Sequence, residues 1–249
     1  MHSHILWGVD DGAQSLDESL AMLDAAAESG TTDIVATPHA NTQYSFDPNL
    51  IQNRIRELAM VRPAGPRIHL GCDFHMMFSN IEDALVHPVK YAINAKSYLL
   101  VEFSDLAIFK SASDDLGRLI AAGIRPIVTH PERNPLLRQR LEQLREWVVS
   151  GCYLQVTAAS YFGRFGSKAE RFAEELTLEG LVHFIASDAH DTRHRPPGLR
   201  DCYDYIHKRY GVELADRLFV SNPKATLSGS ALPAAAPQPA TSRRFWFFR

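Results

Sequence analysis

Short apolar segments and amphipathic helical patterns alternate along most of this chain, and that alternation restricts the fold more than any other feature. Strand candidates fall at residues 2–6, 33–37, 67–72, 97–103, 125–129, 153–158 and 182–187. Helical patterns lie between them, the clearest from Ser15 to Ser29, where Ser15 and Glu18 form a capping box, Leu16, Leu20 and Leu23 make an apolar stripe, and Gly30 ends the run. Others cover about 49–61, 113–122, 135–150, 166–179 and 199–210, several of them stopped by Gly123, Gly151, Gly180 and Gly211. Strands separated by helices pair in parallel through crossovers. The strand count suits a closed or nearly closed βα barrel slightly short of eight strands, and the same periodicity also fits a doubly wound open sheet.

At 249 residues, with ordinary hydrophobic and charged content, the chain can bury one sizeable core. We expect a single domain over residues 1–227. From about Ser228 the Ala/Pro-rich run Ala231–Ala240 reads as a disordered tail, 228–249, ending in the basic-aromatic tip Arg243-Arg244-Phe245-Trp246-Phe247-Phe248-Arg249. Such a tip suits weak contact with a membrane surface or a partner. A net charge of −3 gives no general attraction to nucleic acid. The three cysteines are widely spaced, the start lacks a signal peptide, and no apolar run approaches the ~20 residues of a membrane span, so a cytoplasmic location is expected.

Polar residues fall where such a fold would gather them. The first segment carries His2 and His4, followed by Gly8-Val9-Asp10-Asp11-Gly12; the next runs into His39, the third into Asp73, the fourth into Glu102, the fifth into His130, and the last into Asp188-Ala189-His190. In a parallel barrel the C-terminal strand ends share one face, where active sites are built. His2 and His4, two apart in a strand, point to the same side, as do Asp188 and His190. Taken singly, a histidine at a strand end is an ordinary hydrogen-bonded residue, and His69, His75, His87, His183, His194 and His207 are read that way. Acids and histidines at so many ends together point to metal. Imidazole and carboxylate without thiolate suit Mn²⁺, Fe²⁺ or Zn²⁺, and the number of ligands calls for two or three ions, an arrangement suited to phosphate-ester hydrolysis. Arg133, just after His130, and Arg195, just after His190, would supply guanidinium forks for phosphate.

His2-Ser3-His4-Ile5-Leu6, Gly8-Val9-Asp10-Asp11-Gly12, Ala36-Thr37-Pro38-His39, His130-Pro131-Glu132-Arg133-Asn134 and Ser187-Asp188-Ala189-His190 resemble the polymerase and histidinol phosphatase (PHP) superfamily. Within it they resemble the manganese-dependent protein-tyrosine phosphatases of bacterial capsule and exopolysaccharide operons, over about residues 1–225, and Gln155-Val156-Thr157-Ala158 and Phe162-Gly163 resemble the same branch. The resemblance implies a distorted seven-stranded (β/α)7 barrel holding three metal ions, Mn²⁺ foremost. It assigns His2, His4, Asp73 and Asp188 to the first ion, Asp73, Glu102 and His130 to the second, and Asp10 or Asp11 with His39 and His190 to the third. It makes Arg133 and Arg195 the phosphate ligands beside His130, and the substrate a phosphotyrosine protein, the tail of an autophosphorylating membrane kinase that controls polysaccharide chain length. The sequence departs from that branch in three places: His2 directly follows Met1, Asp73 stands where Glu is usual, and Trp7 replaces Pro. Two other readings are a PHP phosphatase for a small metabolite such as histidinol phosphate, and a metal-bound interaction protein with little turnover.

Overall fold

The computed structural model describes residues 1–233. Its strands are β1 (Asp33–Ala36), β2 (His39–Ala40), β3 (Arg67–Leu70), β4 (Asp73–His75), β5 (Tyr98–Glu102), β6 (Arg125–Thr129), β7 (Tyr153–Thr157) and β8 (Phe184–Ala186). The helices are α1 (Leu16–Glu28), α2 (Pro48–Val61), α3 (Phe78–Val86), α4 (Ala112–Ala121), α5 (Leu141–Val149), α6 (Ser167–Leu178), α7 (Arg200–Tyr210), α8 (Val212–Asp216) and α9 (Asn222–Ser228). The α1 start follows its sequence: the Ser15 side chain accepts from Glu18 N, while the Glu18 carboxylate accepts from Gln14 N, one residue before the cap.

Every strand pairing is parallel. One sheet runs β2-β4-β5-β6-β7-β8 and a smaller one pairs β1 with β3. The order follows the chain without reversal, so the sheet is singly wound, unlike the doubly wound alternative. The expected strands 33–37 and 67–72 form β1 and β3, and after Thr37-Pro38 and Gly71-Cys72 the chain pairs again as the short strands β2 and β4. Proline lacks the N–H that a continuous ladder requires. The first segment, expected as a strand over 2–6, forms a single bridge from Ser3 to Ala189. It is hydrogen-bonded on both sides: His4 N donates to Ala189 O (2.8 Å) and Asp188 N to His2 O (3.0 Å), while Thr37 N donates to Ser3 O (2.9 Å). Regular pairing ends there because the chain turns at once into the 8–13 loop, where Gly8 N donates to Ala13 O.

Side chains alternate between two faces along each strand. One face packs under the helices: Leu99, Val101, Val128, Leu154, Val156 and Ile185 join the large outer core. The other buries Val35, Tyr98, Leu100, Ile127 and Phe184 in a compact plug near the N-terminal strand ends. Two residues further along that face stand Glu102 after Leu100, Gln155 after Tyr153, and Asp188 after Ala186. The inner face thus changes from apolar to polar toward the C-terminal ends of β5, β7 and β8.

Between 135 and 150 the expected helix is divided into a 3₁₀ turn at Leu137–Gln139 and α5, because Arg140 leaves helical backbone (φ −131°, ψ 43°). Helix α3, nine residues long, was too short to stand out by period. After α9 the chain stays docked on the plug end: Tyr98 Oη donates to Ser230 O (2.7 Å), and Leu232 packs against the plug. The basic-aromatic tip expected at 243–249 lies outside the described residues. Among the described residues no helix is long and apolar enough to cross a membrane.

Candidate metal centre

The C-terminal strand ends bring His2, His4, Asp11, His39, Asp73, Glu102, His130, Asp188 and His190 into overlapping groups whose donor atoms lie within 4.8 Å of one another. These are the expected ligands except Asp10. The groups are His2 with His4 and Asp73, His2 with His130 and Asp188, His4 with Asp11, His39 and His190, and His39 with Asp73 and Glu102.

The orientation of His2 and His4 tests whether metal fits. The amide oxygen of Gln155 lies 2.8 Å from His2 Nδ1, and a carboxylate oxygen of Asp10 lies 2.6 Å from His4 Nδ1. Both partners can only accept, so each Nδ1 carries a proton and it is Nε2 whose lone pair is offered to the centre when the ring is neutral. Those two Nε2 atoms face each other at 3.2 Å, and each stands 3.3 Å from Asp188 Oδ1. Asp73 Oδ2 lies 3.5 Å from His2 Nε2, and the buried Asp73 Oδ1 has no hydrogen-bond partner. Two imidazole lone pairs and two carboxylates aimed at one point in a buried site repel one another unless a cation sits among them. With nitrogen and oxygen donors and no thiolate, a hard or borderline divalent ion fits.

Asp10 and Asp11, adjacent in one turn, have different surroundings. Asp10 is buried behind His4; besides His4 it accepts from Gly12 N (3.0 Å) and His39 N (3.2 Å). Asp11 reaches forward, with Oδ1 at 3.4 Å from His39 Nε2 and 3.5 Å from His190 Nε2. Gly12 makes the turn possible: a Cβ there would lie 2.0 Å from His4 O and 2.5 Å from His4 Cβ. His39 Nδ1 faces Asp73 Oδ2 at 3.2 Å and Glu102 Oε2 at 3.6 Å, while His130 Nε2 lies 3.6 Å from Glu102 Oε1. His130 and Asp188 are non-glycine residues with positive φ, 34° and 50°. This backbone, which costs about 1–3 kcal/mol per residue, ends the strand abruptly and returns each side chain over the mouth.

Protonation follows the same charges. Burial, then the nearby Arg133, lowers the His130 imidazole to about 3, so it is neutral with a free lone pair. Burial opposes charge on His4, yet Asp10 and Asp188 carry it up to about 9. Burial likewise opposes charge on His39, but Asp11, Asp73 and Glu102 raise it to about 11. Asp73 and Asp188 stay well below the usual carboxylate range despite burial, held there by His2 and neighbouring cations. Where no metal competes, protons balance the negative charge.

Arg133 and Arg195 both donate to Asp188 Oδ2, the oxygen turned away from the imidazoles. Arg195 keeps a buried Nε–H with no acceptor. Two guanidinium groups are thus gathered within one carboxylate's reach of the ligand cluster, an arrangement that suits a phosphoryl group.

Several supporting groups were not identified from sequence. Gln155, noted in the sequence only for its family resemblance, is a buried polar residue in the middle of β7 whose side chain reaches His2. His75 Nδ1 approaches Glu102 Oε2 at 3.5 Å, as a supporting hydrogen-bonded histidine would. Tyr44 stacks toward His39 with centroids 6.1 Å apart, and Phe165 covers the Arg133 guanidinium at 4.3 Å; both are on loops without periodic signal.

Comparison with known proteins finds relatives along nearly the whole chain. A family model described as capsular polysaccharide synthesis, CpsB/CapC, matches residues 1–228. CapC of Staphylococcus aureus is 32% identical over 252 residues, covering 99% of this chain and 98% of that protein. The tyrosine-protein phosphatase CpsB of Streptococcus pneumoniae is 31% identical over 233 residues, 90% of this chain and 96% of that one. A crystal structure from work on YwqE of Bacillus subtilis and CpsB of Streptococcus pneumoniae, described as unique metal-dependent tyrosine phosphatases, superposes with a TM-score of 0.87 at 29% identity, over 96% of this chain and 97% of the other.

Proposed function

The chain belongs to the CpsB/CapC family of capsular polysaccharide synthesis, and from that premise we propose that it is a metal-dependent protein-tyrosine phosphatase. One observation carries the reading: lone pairs of His2 and His4 converge with Asp73 and Asp188, and the far oxygen of Asp188 holds Arg133 and Arg195. Relatives named as tyrosine-protein phosphatases, aligned over most of their length, support it.

In this reading His2, His4, Asp73 and Asp188 hold one ion, Asp73, Glu102 and His130 a second, and Asp11, His39 and His190 a third. Mn²⁺ is the ion we favour for this oxygen- and nitrogen-rich set. Bound there, metal ions supply a water ionised near neutral pH and positive charge opposite the phosphoryl oxygens. The protein's own groups do the rest. Gln155 and Asp10 fix the tautomers of His2 and His4 so that Nε2 faces the centre. Arg133 and Arg195 bind the non-bridging phosphate oxygens with N–H groups that Asp188 leaves free. The inner face, with residues 2–4 bonded between the segment after β8 and Thr37, supports reading the sheet as a distorted seven-stranded barrel open at the mouth. An open mouth suits a phosphotyrosine on a protein tail, which we take to belong to a membrane kinase of polysaccharide synthesis, and the three free, buried cysteines suit the cytoplasm.

The test compares phosphotyrosine peptide with histidinol phosphate, using protein stripped of metal and reloaded with Mn²⁺. Hydrolysis of the peptide that is lost on stripping and restored on loading is the expected result. Peptide hydrolysis that survives complete metal removal, or turnover of histidinol phosphate alone, overturns the reading.

A further inference from the structure

Phe165 is half-buried yet packs into none of the three apolar core clusters. It sits on the turn that follows the 3₁₀ segment Ala158–Phe162, between Gly163 and Gly166, whose φ angles are 71° and 85°. Left-handed backbone at both ends makes this a tight projection from the β7 loop toward the mouth. Arg164 Nη1 donates to His194 O (3.4 Å), tying the projection to the loop that carries Arg195. The ring lies 4.3 Å from the central guanidinium carbon of Arg133, whose Nη1 donates to Asp188.

A guanidinium bound at one edge by a carboxylate and covered on one face by an aromatic ring has its plane defined, and its remaining N–H groups can point only within that plane. Recognition of phosphate by a fork depends on that plane in a way that recognition by a point charge does not. We propose that Phe165 is a positioning residue that presents the Arg133 fork to the phosphoryl group. The inference rests on the reading of Arg133 as a phosphate ligand. It explains why a large aromatic outside the core is carried on a turn that needs glycine at both ends.

The experiment measures calorimetric binding of inorganic phosphate to the full-length, Mn²⁺-loaded protein, alongside kcat and KM for a phosphotyrosine peptide. Phe165→Leu is expected to weaken phosphate binding on the order of tenfold, in line with a partly desolvated cation–π contact. KM should rise with it, kcat should fall less, and metal content should not change. Phe165→Trp, which keeps a π face, should bind phosphate nearly as the parent does. In an Arg133→Met background the leucine change should shift phosphate affinity by about twofold or less, because the group it positions is gone. Unchanged phosphate affinity in Phe165→Leu overturns the proposal, as does an equal loss in the Arg133→Met background. A parent protein that binds phosphate but does not hydrolyse the peptide refutes the phosphatase reading, while the phosphate measurement still decides the role of Phe165.

Discussion

Replacing Asp10 by alanine removes an acceptor from three donors at once: His4 Nδ1 at 2.6 Å, Gly12 N at 3.0 Å and His39 N at 3.2 Å. His4 is 1% exposed, so Nδ1 loses its carboxylate partner in a site shielded from bulk solvent. The imidazole can then rotate or take the other tautomer, and its Nε2 lone pair is no longer held toward the centre. Loss of such an outer partner costs roughly 10–100-fold in metal affinity, or about 1.4–2.8 kcal/mol at ~1.4 per tenfold. Saturating Mn²⁺ should therefore restore most of the turnover of Asp10→Ala. Asp11→Ala removes a group that faces His39 and His190 directly, and excess metal should not rescue it. Metal titration against a chelating dye, run beside activity at each metal concentration, separates the two variants. Unchanged metal affinity in Asp10→Ala would falsify the orienting role, and rescue of Asp11→Ala with none for Asp10→Ala would exchange the assignments.

Arg133→Lys should lower kcat/KM by about 1–3 kcal/mol with metal content unchanged, because an ammonium cannot reproduce the planar fork; kinetics equal to the parent's would leave Arg133 as a salt-bridge residue only. Gly12→Ala places a methyl against the His4 backbone and should cost about 1–3 kcal/mol of stability, read by thermal melting, together with metal occupancy. Metal binding should tighten as pH rises from 6 toward about 9: the His4 proton, held up to about 9, must leave before Nε2 can coordinate, so acid favours the proton over the metal. A titration showing affinity independent of pH over that range would contradict this. Removing residues 234–249, with their basic-aromatic tip, should leave peptide hydrolysis unchanged and weaken binding to anionic vesicles in a salt-dependent way; equal vesicle binding by both forms would exclude a tether.

Much of this centre was legible because a parallel fold converts position in sequence into position in space. A histidine or acid directly after an apolar strand lies at the mouth whichever strand carries it, so His39, Asp73, Glu102, His130 and Asp188 could be collected without knowing the order of the sheet. Adjacent residues in a turn could not be separated in this way. Asp10 and Asp11 differ only in how the loop closes on His4, which depends on the absence of a side chain at Gly12. The short strands β2 and β4 beyond Thr37-Pro38 and Gly71-Cys72 were hidden because hydrophobic pattern records which face a residue occupies and not whether its neighbour supplies a hydrogen bond. Phe165 and Tyr44 were hidden for a related reason: their stacking partners are close only after folding.

The apolar plug and the ligand cluster are opposite ends of the same strands. Tyr98, Leu100, Ile127 and Phe184 are fully buried, whereas Glu102 lies two residues beyond Leu100, and His130 and Asp188 follow the ends of β6 and β8. Opening is therefore expected to begin at the mouth, where polar side chains and loops replace apolar packing, and to reach the plug last. Backbone amides on one strand should exchange with solvent at rates graded along its length, slow beside Leu100 and faster toward Glu102. The scaffold can accordingly lose its chemistry by local opening while the fold below it stays intact.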